Sequence, residues 1–133
     1  MEEPSMIDGH HCWSFGDSPA LADDLLALVL AGDKTATCGA LRDYVAEGVP
    51  LPHAGRQDIV LDGSGKPAAL IEYTEVSQRR FAEVPEDFAL AEGEGDFAAW
   101  WQGHKDYFER NGGWSADMML VCERIRLVEV LTA

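Results

Sequence analysis

The sequence has few basic residues. Ten lysine and arginine side chains stand against 24 aspartate and glutamate side chains, which gives a formal net charge of −14 over 133 residues. A protein that binds nucleic acid through phosphate contacts needs a basic stripe, and the densest basic cluster here is Arg79 and Arg80, with Arg124 and Arg126 later. We therefore expect RNA to be disfavoured as a partner, whereas a small ligand of low charge is much less affected.

Long apolar runs and paired cysteines are also missing. No run of about 18 apolar residues is present, so we expect no transmembrane helix, and the acidic residues 1–4 do not resemble a secretory signal. The cysteines, Cys12, Cys38 and Cys122, form no C-x-x-C pair, which is typical of free thiols in a reducing compartment. We expect a cytoplasmic protein with one core, since 47% hydrophobic residues in 133 suit a single domain.

Cap and turn residues divide the chain into helices and strands of a single α+β domain. Ser18 and Pro19 suit the N-cap and first position of a helix, and apolar residues at helical spacing continue to Leu30. The same signals predict helical segments over residues 40–46, 85–90 and 97–110. Apolar and β-branched runs predict strands over residues 57–61, 68–76 and 119–131, and the first two should form a hairpin.

Residues 1–12 are interpreted as an N-terminal tail and residues 13–133 as the domain, with about five or six strands and three or four helices. The tail contains three potential metal ligands, His10, His11 and Cys12. Adjacent side chains of an extended chain point to opposite sides, and no other histidine or cysteine is nearby in sequence. We therefore expect no metal site there.

A lysine lies at the junction between the first helix and the next extended segment. Gly32 fits the left-handed position after a helix C-terminus, and the threonines at 35 and 37 favour an extended chain. Alternation puts Lys34 and Thr37 on opposite faces, so they meet at one ligand only if the chain bends. From the residues alone a surface lysine is favoured over a functional one, and Lys34→Ala should then change stability by under about 1 kcal/mol.

The helix over residues 97–110 carries an aromatic stripe at spacings of three and four. Its members are Phe97, Trp100, Trp101, His104 and Phe108. His104 is either a core histidine or a ligand contact, and Trp100 or Trp101 could stack on a base, although filling the core is favoured for at least one of them.

Carboxylates alternate with glycine just before this helix, at residues 92–96. An EF-hand register that starts at Glu92 puts Phe97 at the position that requires glycine, so a calcium loop is not predicted. We expect Asp96 to cap the helix and the other carboxylates to favour its positive end, although a metal site remains an alternative.

A second carboxylate of interest ends the predicted strand over residues 68–76. Its odd positions share one face, on which Glu75 follows Ala69, Ile71 and Tyr73. If that face is buried, burial would favour the protonated form of Glu75. The alternative is a glutamate at a strand end that reaches water.

Six ordered blocks of residues resemble the longer members of the ASCH domain family, a branch of the PUA-like proteins. The first is the signature Gly32-x-Lys34-x-x-Thr37, and the other five are residues 15–19, 59–63, 74–76, 92–96 and 120–124. Together they span about residues 13–130. The resemblance implies a small, mostly antiparallel PUA-like β-barrel with helices that cover its mouth.

The resemblance also implies two activities, because relatives are linked to hydrolysis of the amide in N4-acetylcytidine and to metal-assisted RNA cleavage, and members of the broader fold bind RNA. Lys34 and Thr37 match the catalytic lysine and threonine of the amidohydrolase members, and Glu75 is the match for their glutamate. Gly39 stands where shorter members have an arginine, and the nearest arginine is Arg42.

These matches define a chemical hypothesis. Lys34 would act as nucleophile or as oxyanion stabiliser, Glu75 would carry a proton to the leaving nitrogen, and Thr37 would orient the carbonyl or a water molecule. The candidate substrate-binding residues are Tyr44, Trp100, His104, Ser115 and Arg124.

Three functions remain open. They are a hydrolase of a small modified nucleoside, an RNA-binding module or metal-assisted ribonuclease, and a ligand-sensing domain without catalysis. We expect neither a cofactor nor a metal for the hydrolase, and the H-x-E…P-C-x-x-C signature of zinc deaminases is missing.

Overall fold

A computed structural model describes residues 6–131 of the chain. The described residues form four α-helices, α1 Pro19–Leu30, α2 Leu41–Glu47, α3 Glu86–Ala91 and α4 Phe97–Arg110, with a 3₁₀ turn at Phe81–Glu83. They also form six strands, β1 Met6–Ile7, β2 His10–Trp13, β3 Ala36–Ala40, β4 Gln57–Leu61, β5 Pro67–Arg80 and β6 Met119–Val130. The α+β class is confirmed. None of the helices between residues 6 and 131 is both long and apolar enough to cross a bilayer.

The six strands build one mixed sheet in the order β1-β2-β4-β5-β6-β3. The pair β2 and β4 is parallel, and the other neighbours are antiparallel. The long strands β5 and β6 pair along most of their length and form the centre of the sheet. Within residues 6–131 the edge strands β1 and β3 are not paired with each other, so the sheet is open and the closed barrel that the resemblance implied is not observed.

Residues 6–13 differ from the expected tail. Strands β1 and β2 form a hairpin whose turn residues, Asp8 and Gly9, have φ values of 51° and 82°. Positive φ at both central positions is typical of a type I′ turn, whose twist matches that of the flanking strands. The hairpin joins the sheet through β4, and His10 Nδ1 lies 3.0 Å from the Gln57 carbonyl oxygen. Residues 1–5 lie outside the described part of the chain.

The cap residues that were recognised in the sequence act as predicted. The Ser18 hydroxyl accepts a hydrogen bond from the Leu21 N–H, and Pro19 opens α1. The Asp96 carboxylate accepts a hydrogen bond from the Ala99 N–H at the start of α4. Caps of this kind contribute about 0.5–2 kcal/mol each.

Two apolar cores lie on either side of a polar region. One core joins α3 and α4 to the sheet through Phe81, Phe88, Trp100, Phe108 and Leu120. The other packs α1 on the sheet through Leu26, Val29, Val60, Ile71 and Ile125. Each fully buried large apolar side chain contributes about 1.5–3 kcal/mol. The segment that follows α1 runs between these cores and carries Lys34.

A β-bulge changes the predicted face of Glu75. Ala69, Ile71 and Tyr73 are buried as the alternation predicted. Tyr73 then pairs with Ile125 and Glu75 with Arg124, so Thr74 is an extra residue on β5. An extra residue reverses which face the following side chains occupy. Glu75 therefore leaves the apolar face and becomes exposed.

Candidate functional site

Lys34 is buried, with 2% of its surface exposed. Gly32 has a φ of +84°, which lets the chain turn back so that both Asp33 and Lys34 donate backbone hydrogen bonds to the Leu28 carbonyl. On the other side, the Thr35 N–H donates to the Ala91 carbonyl at 2.7 Å. The surface-lysine interpretation is therefore wrong, because this bend directs the lysine side chain between the two cores.

Two carboxylates and one carbonyl surround the Lys34 ammonium group. Lys34 Nζ lies 2.9 Å from Glu94 Oε2, 3.1 Å from Glu92 Oε1 and 3.3 Å from the Glu92 carbonyl oxygen. Burial alone would lower the pKa of Lys34, but attraction to Glu92 and Glu94 outweighs it and holds the pKa above its ordinary value. Lys34 is therefore a charged hydrogen-bond donor.

Glu92 is the buried centre of this network. Its Oε2 accepts a hydrogen bond from Trp100 Nε1 at 2.8 Å, and its Oε1 lies 3.4 Å from His104 Nε2. Burial opposes its charge, but Lys34 and then His104 lower the pKa of Glu92 to about 2. The pKa of His104 is raised because contact with Glu92 outweighs the effect of burial. Glu92 is thus an anion that fixes the Lys34 ammonium group and the His104 ring.

Gly93 allows the acidic segment to approach the lysine. Its φ is +75°, and a Cβ atom at this position would lie 2.5 Å from the Asp33 carbonyl oxygen. Such a contact forces the backbone apart. Only glycine at this position lets Glu92 and Glu94 both reach Lys34.

Two adjoining cavities open beside this network. The smaller, of about 280 Å³, is lined by Lys34, Thr37, Glu92, Glu94 and His104. The larger, of about 410 Å³, is lined by Trp13, Tyr44, Arg56, Tyr73 and Glu123. They form one continuous cleft, because they share eight lining residues: Phe15, Gly16, Thr37, Cys38, Gly39, Ala40, Asp43 and Tyr107. Its size suits a drug-sized or nucleoside-sized ligand.

A second buried carboxyl group lies in the larger cavity. Glu123 is 3% exposed, and its Oε1 accepts a hydrogen bond from the Tyr44 hydroxyl at 2.5 Å. Burial raises the pKa of Glu123 to about 7, although the Tyr44 hydrogen bond lowers it. Burial therefore favours the protonated form of this carboxyl group.

Asp58 contrasts with Glu123, because its carboxylate is saturated. It accepts hydrogen bonds from Trp13 Nε1 at 2.9 Å, from the Tyr73 hydroxyl at 2.7 Å, and from Arg56 Nε and an Arg56 terminal nitrogen at 3.0 and 2.9 Å. This network fixes the wall of the larger cavity and keeps the charge of Arg56 compensated.

Cys38, Glu92 and His104 could surround a cation, since one donor atom from each lies within 4.8 Å of the others. The chemistry of the three groups argues against it. Glu92 already bonds Lys34 and Trp100, and burial raises the pKa of the Cys38 thiol well above its ordinary value, whereas a metal needs the thiolate. We interpret Glu92 and His104 as part of an internal ion-pair network with Lys34, and Cys38 as a neutral thiol beside it.

The structure brings some of the predicted site residues together and separates others. Lys34, Thr37, Tyr44 and His104 line the cleft. Trp100 lies behind it, 1% exposed, where it donates to Glu92.

Glu75, Ser115 and Arg124 line neither cavity. The prediction that Glu75 shares a pocket with Lys34 is wrong, because the bulge at Thr74 leaves its side chain 59% exposed beside Arg124. Arg124 bonds Asp87 on the same exposed face. Ser115 donates to Asp117 in a loop away from the cleft.

Three acidic residues of the cleft were missed. Glu92 and Glu94 were assigned to the positive end of α4, and the glycine between them was the signal that this segment meets another backbone closely. Glu123 lies in β6 on the same face as Val121 and Ile125, both buried. A glutamate on an otherwise apolar strand face could have identified it.

Three features characterise the structure: the open mixed sheet, the buried lysine after α1, and the two carboxylates that are separated by one glycine. A family model described as ASCH domain matches residues 11–129. The chain therefore belongs to the ASCH domain family, and the family predicted from the six sequence blocks is confirmed.

Solved structures support this assignment. A crystal structure of a protein from Enterococcus faecalis has a TM-score of 0.86 and 36% identity, over 96% of this chain and 81% of that chain. An ASCH domain from Lactobacillus crispatus has a TM-score of 0.80 and 31% identity, over 90% of this chain and 80% of that chain.

A mutant of the ASCH protein from Zymomonas mobilis has a TM-score of 0.60 over 91% of this chain and 73% of that chain, and its 12% identity supports the fold alone. A comparison with curated proteins gave no match.

Proposed function

We propose that this protein is a hydrolase of small molecules that cleaves the amide bond of a modified nucleoside such as N4-acetylcytidine. The observation that carries the proposal is a buried ammonium group, Lys34, held by Glu92 and Glu94 at a cavity that Thr37 also lines. Membership of the ASCH family, with its PUA-like fold, is compatible with hydrolase-like or RNA-binding roles, and the chemistry of the cleft favours the hydrolase.

Amide hydrolysis needs a donor for the developing oxyanion, an activated water molecule and a proton for the leaving nitrogen. Of the two roles that the sequence left open for Lys34, the raised pKa supports oxyanion stabilisation, because a nucleophilic amine must first lose its proton. The pair of carboxylates keeps Lys34 charged and oriented before the substrate arrives. The oxyanion would replace the Glu92 carbonyl oxygen, because its 3.3 Å hydrogen bond is the longest of the three that Lys34 donates.

We assign to Glu94 the role that the family resemblance implied for Glu75. Its side chain is 26% exposed and lines the cavity, whereas Glu92 is 1% exposed. In this mechanism Glu94 accepts a proton from water as the oxygen attacks the acetyl carbon. It returns that proton to the nitrogen as the C–N bond breaks, which yields acetate and the free amine. Thr37 orients the water or the carbonyl by its hydroxyl group, and Glu92 positions Lys34.

The charges of the cleft favour a neutral nucleoside over RNA. Its carboxylates are Asp43, Glu47, Glu92, Glu94 and Glu123. Among the described residues of the cleft, Lys34 is paired with Glu92 and Glu94, Arg56 with Asp58, and Arg110 with Asp17. A phosphate would have to break one of these pairs, whereas a nucleoside carries no phosphate.

The residues also argue against the metal-assisted ribonuclease. Magnesium prefers several oxygen ligands in octahedral geometry. The group of potential ligands in the cleft contains a thiol and an imidazole, and its carboxylate is neutralised by Lys34. We therefore derive no step through a metal ion.

Turnover of N4-acetylcytidine, followed by release of cytidine and acetate, tests the proposal. We expect activity in the wild type, and a loss of about 10²-fold or more in kcat for Glu94→Gln and Thr37→Val. Glu75→Gln is the matched control for the first change and should keep wild-type activity, because Glu75 is exposed outside the cleft. An inactive wild type over a panel of acylated nucleosides, or full activity in folded Glu94→Gln, would overturn the mechanism.

A further inference from the structure

The larger cavity contains a carboxyl oxygen without a protein partner. Glu123 uses Oε1 to accept the Tyr44 hydrogen bond. Among residues 6–131, no side chain or backbone group hydrogen-bonds its Oε2, although the residue is 3% exposed and lines the cavity. Asp58, which lies behind the wall of the same cavity, is a contrasting case, because its carboxylate is fully bonded by Arg56, Tyr73 and Trp13. Glu123 Oε2 is not among the buried polar atoms that lack a partner, so it is accessible from the cavity, where a water molecule or a ligand can donate to it or accept from it.

The register of the sheet places this oxygen beside the proposed reaction centre. Thr37 of β3 and Glu123 of β6 are direct partners in the antiparallel pair. Side chains of such partners lie on the same face, with Cβ atoms about 4.5–5.5 Å apart. A ring bound at Glu123 therefore lies next to Thr37, and a substituent on that ring can extend towards Lys34.

We propose that Glu123, held by Tyr44, is the specificity-determining group that recognises the ring of a neutral heteroaromatic base in the larger cavity. This inference rests on the proposed function, which it extends from the amide bond to the ring that carries it. The hydroxyl of Tyr44 donates to Oε1, so the proton of the neutral carboxyl group belongs on Oε2. From there it donates to a ring nitrogen or carbonyl of the ligand.

Aromatic side chains supply the remaining contacts that a flat ring needs. Trp13, Phe15, Tyr44, Tyr73 and Tyr107 all line the larger cavity. Flat aromatic surfaces bind heterocyclic bases by stacking. A pyrimidine such as cytosine combines this flat surface with a ring nitrogen that accepts a hydrogen bond, so we assign the subsite to a pyrimidine nucleoside.

The groups that face Glu123 determine when it carries its proton. They are Tyr44 from α2, Arg56 and Tyr73 from the wall of the cavity, Asp58 behind that wall, Glu92 from the lysine network and Cys122 in β6. Burial is the main reason for the raised pKa of about 7; Asp58 and Glu92 raise it further, and Arg56 lowers it. Above this pH, Glu123 becomes an anion that can no longer donate to a ring nitrogen.

Equilibrium binding of cytidine tests the inference, because cytidine carries the ring without the scissile amide. For the wild type we expect the Kd to rise about tenfold between pH 6 and pH 8, as the proton on Glu123 is lost. In Glu123→Gln the amide still donates, so the Kd should stay near the wild-type pH 6 value and become independent of pH. In Glu123→Ala the Kd for cytidine at pH 6 should be at least about tenfold higher than in the wild type.

Two further variants separate recognition from a structural effect. Tyr44→Phe removes a hydrogen bond that lowers the pKa of Glu123, so the midpoint of the pH profile should move upward. Glu75→Gln removes one negative charge outside the cleft, where the Glu75 side chain is 59% exposed, and should leave the midpoint unchanged. Three results would overturn the inference. They are a pH dependence that is unchanged in folded Glu123→Gln, a wild-type affinity for cytidine in Glu123→Ala, and no binding of cytidine by the wild type.

The binding assay and the turnover assay can refute the subsite and the proposed function independently of each other. Cytidine binding with the expected dependence on Glu123, but without hydrolysis of any acylated nucleoside, would support the subsite and overturn the proposed function. Hydrolysis of N4-acetylcytidine with an unchanged KM in Glu123→Ala would support the function and overturn the subsite.

Discussion

Replacing Lys34 by methionine removes the positive charge at the centre of the buried network but keeps a long side chain in its place. The change leaves Glu92 ionised at a site where 1% of its side chain is exposed. Removing one partner of a buried ion pair costs about 3–5 kcal/mol. The lowered pKa of Glu92 gives a similar magnitude. A pKa of about 2, compared with the ordinary value of 4.5, means that ionised Glu92 contributes about 3 kcal/mol to the free energy of unfolding at pH 7.

The sign of the pH dependence follows from the lowered pKa of Glu92. Its contribution to stability is fully present above pH 4.5, the ordinary value, and is lost as the pH falls towards about 2. The difference in unfolding free energy between wild type and Lys34→Met should therefore be about 3–5 kcal/mol at pH 7 and should become smaller near pH 3.

Urea unfolding, followed by tryptophan fluorescence and circular dichroism, measures this difference. Lys66→Met is the matched control, because Lys66 is exposed in the turn between β4 and β5, and it should change stability by less than about 0.5 kcal/mol. The double variant Lys34→Met/Glu92→Gln should recover more than half of the loss, since no uncompensated buried charge remains at Glu92.

Two results would refute this reasoning. The first is a loss below about 1 kcal/mol in Lys34→Met, which is the size expected of a surface lysine. The second is a double variant no more stable than the single one, because the buried charge of Glu92 would then not be the cause. The double variant also keeps the test decisive if Lys34→Met alone does not fold.

The other predictions concern charge and ligand. Glu123→Gln should stabilise the protein at pH 8 by up to about 3 kcal/mol, because a pKa raised from 4.5 to about 7 means that stability falls as pH rises through this range. At pH 4 the two proteins should unfold alike in urea, and a gap that is equal at both pH values would contradict the assignment. N4-acetylcytidine should bind or turn over better than a short RNA with the same base at physiological salt, because the net charge of −14 repels a polyanion. Tighter binding of the RNA would favour the RNA-binding alternative.

Local rules predicted much of the fold. Caps are short-range features, so Ser18 and Asp96 defined helix starts that the structure retains. The strand over residues 57–61 and the helix over residues 97–110 were predicted with the bounds that the structure has. These signals succeeded because the residues that decide them lie within a few positions of each other.

The site was harder to predict because its geometry depends on distant contacts. Lys34 and Glu92 are 58 residues apart in sequence, and nothing near either residue shows that they meet. The bulge at Thr74 arises from how β5 pairs with β6, so alternation within β5 alone misplaced Glu75. Motif resemblance identified Lys34 and Thr37, whereas the carboxylate partners needed the tertiary structure.

Gly93 has a consequence for recognising this site in other chains. The lysine of the G-x-K-x-x-T block is a buried ammonium group here because a second segment, which carries Glu92 and Glu94, comes within hydrogen-bond distance of it. Since a Cβ atom at position 93 would meet the Asp33 carbonyl oxygen at 2.5 Å, the triplet Glu-Gly-Glu is a steric requirement as well as an electrostatic one. A sequence search that requires both the lysine block and this triplet would distinguish chains that can form the network from chains that contain only the lysine.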